Sequence, residues 1–122
     1  MLTVIQMELI MKNQFLIGDA MKKFDEDVLK IIFLIKEKPA ILVDKSVSCL
    51  RGFLDGFAVG YSFPNIESVF PDFQKYVEKR YHCDLTISWN EILVLQADSE
   101  EKAFYLFFEV FERFLKESKK NY

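Results

Sequence analysis

Residues 102–118, KAFYLFFEVFERFLKES, decide the fold class. At about 100° per residue, Ala103, Phe107, Val110, Phe111 and Phe114 fall on one face, with Tyr105, Glu109, Glu112 and Lys116 opposite. That period is helical, and a stripe of phenylalanines must be buried against other elements. Just upstream, Asp98 is the expected N-cap, and Glu100 and Glu101 fall in the first turn, where the helix dipole favours negative charge.

Working outward toward the N-terminus, Ser88-Trp-Asn-Glu91 has the spacing of a capping box and introduces a short helix through ILVLQ. A strand competes for this stretch, because Leu85, Ile87 and Trp89 alternate and ILVL is β-prone. Before it, Pro71 fits the first turn of a helix that turns Phe73, Tyr76, Val77 and Tyr81 inward and carries Lys79, Arg80 and His82 at its C-terminal end. Ser46 is placed to cap a helix containing RGFLDGFAVGY, residues 51–61, with Leu50, Phe53, Leu54, Phe57, Ala58 and Tyr61 on its core face. Gly52, Gly56 and Gly60 form an adjoining strip with Cys49. A glycine inside a helix costs about 1 kcal/mol relative to alanine, so the strip predicts an element of the same chain packed closely against it, in preference to a dimer seam.

Asp25 is the expected cap of a helix through VLKIIFLIKEK, which Pro39 stops, and AILV reads as an extended connection or an isolated strand. Apolar residues from Leu2 to Phe15 suggest one more helix of unclear register. The expected fold is mainly α: a compact single-domain bundle of about five or six helices over residues 1–122, the alternative being α+β with a minor strand or hairpin around 85–96.

Composition narrows the function. Sixteen Lys and Arg against nineteen Asp and Glu give a net charge of −3, which argues against direct nucleic-acid binding and suits a basic protein partner. Cys49 and Cys83 are expected to be reduced thiols. No basic residue precedes Lys12, Glu8 interrupts the first apolar run, and no charge-free run is long enough to span a bilayer, so a cytoplasmic protein without a membrane partner is expected.

Chemistry is sparse. The single histidine, His82, adjoins Cys83 and Asp84, but neighbouring side chains point in different directions, and a surface His at a helix end is the plainer reading. No metal, nucleotide or hydrolase signature occurs, so no catalytic, cofactor or metal residue is assigned. Asp25-Glu26-Asp27 and Asp98, Glu100 and Glu101 coincide with helix starts, where capping is their first explanation; partner binding is the second. The candidate partner-binding residues are Asp98, Glu100, Glu101, Glu109 and Glu112.

The segments KPAILVDKSVSCLRGFLDGF, FPDFQKYVEKRY and SWNEILVLQADSEEKAFYLFFEVFERF, within residues 39–115, resemble a family of small helical immunity proteins of bacterial polymorphic toxin and contact-dependent growth inhibition systems. Pro39, Leu50, Phe53, Leu54, Gly56, Phe70, Phe73, Ser88, Trp89, Ile92, Ala103, Phe104, Phe107, Phe108 and Phe114 carry the resemblance, with Phe57 in place of the usual Tyr. Lys38 and Ala40-Ile-Leu depart from the pattern. The resemblance implies a non-enzyme, monomeric or weakly dimeric, that blocks the active site of one toxin domain, with a nuclease the expected target. The alternatives are a small helical regulator holding an apolar ligand and an enzyme using His82.

Overall fold

The computed structural model describes residues 19–64, 66 and 71–120. Five α-helices follow in order among the described residues: α1 Asp19–Glu37, α2 Val47–Gly60, α3 Pro71–Arg80, α4 Trp89–Ala97 and α5 Glu100–Lys120. A 3-10 turn, Pro39–Ile41, joins α1 to the segment leading into α2. No strand occurs among the described residues, so 85–96 is not a hairpin and AILV is not a strand. The helix expected over Leu2–Phe15 lies outside the described residues.

Helix α5 is the spine, packed mainly against α4 and α2. Its expected inner face is buried, together with Phe104, Phe108 and Leu115. Phe73 of α3 is the aromatic hub, with ring centroids 5.3 Å from Trp89, 5.7 Å from Phe107, 5.4 Å from Phe111 and 5.3 Å from Phe114. Edge-on contacts dominate, as the ring quadrupole favours. The N-terminal half of α1 meets the end of α2 through Phe24, whose ring lies 6.0 Å from Phe57, 5.3 Å from Tyr61 and 5.2 Å from Phe63. The gap among Ile32, Leu54, Ile66, Phe73, Trp89, Phe107 and Phe111 is about 10 Å³, so these side chains interlock with little space between them.

Helix ends account for most departures from expectation. Ser46 caps α2 as expected, its hydroxyl accepting from the Cys49 amide at 3.0 Å. Ser88 occupies the N-cap of α4, but its hydroxyl donates to Asn90 Oδ1 at 2.7 Å, and the Trp89 amide is satisfied by Gln74 Oε1 of α3 at 2.7 Å. The capping box does not form, and the neighbouring helix serves the first amide of α4 instead. Asp98 does not cap α5: it sits in the left-handed region (φ 70°) after α4, and Ser99 caps α5 by accepting from the Lys102 amide at 3.0 Å. Asp25 is not a cap either, because α1 begins at Asp19 and carries Asp25 into the interior, 1% exposed.

The glycine strip also differs. The buried side of α2 is Val47, Leu50, Leu54 and Ala58, and Gly52, Gly56 and Gly60 lie on the opposite, exposed side. A Cβ at any of the three would meet no atom of another described element within 4 Å. No close-packed element among the described residues therefore explains these glycines.

Candidate interaction surface

The acidic residues of α5 divide into three settings. Glu101 and Glu109 are exposed and, with the half-exposed Tyr105 between them, follow each other at four-residue steps along one strip of the helix. Glu112 continues the strip three residues on and forms an ion pair with Lys36 of α1, tying the end of α1 to the middle of α5. Glu100 points elsewhere: its carboxylate accepts from the Ser48 amide at 2.9 Å and from the Ser48 hydroxyl at 2.7 Å. It thus joins Ser46 in capping α2, with its charge at the positive end of that helix dipole. Asp98 sits in the turn between α4 and α5, one residue before the Ser99 cap. The fold therefore aligns Glu101, Glu109 and Glu112 and gives Asp98 and Glu100 separate positions.

Residues 39–46 turn back beside the first turn of α5 and enclose an open cleft of about 590 Å³ with it, lined by Asp44, Lys45, Ser46, Leu42, Glu100 and Glu101 among others. The segment is anchored. Amides of Ile41 and Leu42 donate to the carbonyls of Lys38 (3.1 Å) and Pro39 (3.0 Å), Leu42 is buried, and Ser46 is the α2 cap. Between these anchors Val43 stands fully exposed and Ile41 is 43% exposed. Sequence reasoning assigned this segment no role. The available signal was AILV itself, an apolar β-branched run ending in Asp44-Lys45, with no second strand to pair with.

On another side of α2, Arg51 Nε donates to both carboxylate oxygens of Asp55 at 3.1 Å, its NH1 donates to Asn90 Oδ1 at 3.2 Å, and its guanidinium lies 5.4 Å from the Trp89 ring centroid. Asp55 Oδ1 also accepts from the Ile66 amide at 3.0 Å. These bonds clamp the segment after α2 and the start of α4 against α2, a structural task that occupies the charged groups beside the glycines. Trp89 is buried in the core.

His82 is exposed and takes a left-handed conformation (φ 50°) just after α3. Its amide donates to Lys79 O (3.3 Å) and the Cys83 amide to Glu78 O (2.9 Å), the pair of bonds that closes a Schellman helix end. The role seen for His82 is thus a backbone one. Cys49 and Cys83 are free thiols. No helix among the described residues is long and apolar enough to cross a membrane.

Two buried polar groups lie apart from the acidic strip. Burial pushes the Asp25 carboxyl up to about 7, and neither of its oxygens has a hydrogen-bond partner among the described residues. Burial, aided by the nearby Glu117 carboxylate, pushes the Tyr76 hydroxyl up to about 12. Compared with protein-family models, curated proteins and solved structures, the chain matches none.

Proposed function

We propose that this chain is an immunity protein: it binds one bacterial toxin domain, a nuclease by preference, and neutralises it by covering the active site. The observation that carries the reading is the strip Glu101–Tyr105–Glu109, exposed carboxylates flanking an exposed aromatic ring on the longest helix. Carboxylates steer a basic partner, and tyrosine is among the side chains that most often supply binding energy at an interface. A nuclease domain must be basic to hold its phosphate substrate, which matches this strip in sign. The family resemblance across residues 39–115 supplies the toxin context. By contrast, the gap of about 10 Å³ between the core phenylalanines falls far below the several hundred Å³ that an apolar regulator ligand fills.

The reading requires a toxin domain encoded beside this gene, and the test is co-expression with it. Survival of the host, with a stable one-to-one complex of the purified proteins and lost toxin activity, is the expected result. Protection that disappears in His82→Ala while the complex still forms would return the reading to an enzyme.

A further inference from the structure

We propose that the cleft between residues 39–46 and the first turn of α5 is the docking site for a basic loop of the protein partner. An Arg or Lys side chain of that loop enters among the carboxylates of Asp44 and Glu101, and its apolar neighbours rest on Val43 and Tyr105. This deepens the protein-binding reading above, on which it rests, by assigning the place of contact and its chemistry.

Two independent features point to the same occupant. One is charge: among the described residues, Asp44, Glu100 and Glu101 line the cleft against a single ammonium, that of Lys45. Glu100 is already engaged by Ser48, which leaves Asp44 and Glu101 as the acceptors. An apolar partner would strip water from these carboxylates without compensation, and a nucleic acid would be repelled by them. The other is apolar exposure held in place. Val43 is fully in water although Leu42 beside it is buried and Ser46 caps α2, so its exposure belongs to an anchored segment and not to a frayed end. Tyr105, half exposed, stands one helical turn beyond Glu101. An apolar centre with a charged rim is the usual anatomy of a protein interface.

The probe is a capped Arg-Leu-Arg tripeptide titrated at low salt into the isotopically labelled chain, with capped Glu-Leu-Glu as control and amide chemical shifts as readout. Shifts confined to residues 39–46 and 99–105, seen with the basic peptide alone, are expected. Glu101→Lys and Val43→Ser should each weaken binding by about fivefold or more, and Lys45→Glu should strengthen it, the sign that local charge dictates. All three positions are exposed, so thermal unfolding should confirm an intact fold. Shifts spread over every acidic surface, or unchanged in the three variants, would overturn the proposal. The two readings fail separately. A toxin domain that binds wild type and Glu101→Lys/Val43→Ser equally well removes this site and leaves the immunity reading; no toxin binding with the peptide result intact does the reverse.

Discussion

Asp25 is the residue whose surroundings most oppose its chemistry. Burial without hydrogen-bond partners disfavours the carboxylate and raises its pKa from 3.8 to about 7. The folded chain therefore holds this proton over a range where the unfolded chain has released it, and stability contributed by the neutral acid is present below about pH 4 and lost as pH rises through about 7. Over three pH units the loss is roughly 4 kcal/mol at most. Asp25→Asn, which cannot ionise, should flatten this slope: the drop in urea midpoint between pH 5 and pH 8 should shrink markedly, and an unchanged drop would place the titration elsewhere. Three other residues carry backbone strain. Ser62, His82 and Asp98 all have positive φ (69°, 50° and 70°) at helix ends where glycine is the usual choice. Ser62→Gly and His82→Gly should each raise stability by about 0.5 to 1 kcal/mol, read as a higher thermal midpoint. Asp and His adopt left-handed geometry more readily than most residues, but Asp is also a favoured N-cap, which is why Asp98 read as a cap when its neighbour Ser99 does the capping.

Helices show where periodicity suffices and where it stops. The inner face of α5 was legible in full, because Ala103, Phe107, Val110, Phe111 and Phe114 repeat at the helical period and phenylalanine has few other places to go. The same period located the core side of α2 through Leu50, Leu54 and Ala58. It could not say what covers the other side, since a glycine carries no polarity to distinguish a close neighbour from water. Open space at Gly52, Gly56 and Gly60 among the described residues reverses the expected consequence of substitution. Gly56→Ala should stabilise the chain by about 0.5 to 1 kcal/mol through helix propensity alone, and Gly56→Leu should fold without the loss that overpacking would cause. Chemical denaturation distinguishes the cases, and a loss of 1 to 3 kcal/mol in Gly56→Leu, about the cost of overpacking, would mean that a close neighbour exists after all. Capping shows a related limit: Glu100 reaches from α5 to the start of α2, a pairing across 52 residues that local sequence patterns do not reveal.

The molecule as a whole is a phenylalanine-cored bundle with an acidic, aromatic strip along one edge of α5 and an anchored apolar loop beside its first turn. The sequence placed Glu109 and Glu112 together on the outer face of α5, but it did not place Glu101 with them or set Glu100 apart. Which of them share a surface depends on the rotation of α5 and on how residues 39–46 fold back, and both are set by long-range packing. In the proposed function this edge meets a basic toxin surface, and at a net charge of −3 the encounter should be faster than for a neutral pair. The most direct test is the association rate with the toxin domain, measured by stopped flow from low to high salt for wild type and for Glu101→Lys/Glu109→Lys. The account predicts fast wild-type association that falls steeply with salt, a variant slowed by about tenfold or more at low salt with a flattened salt dependence, and an unchanged fold. Equal rates and equal salt slopes for the two proteins would contradict it.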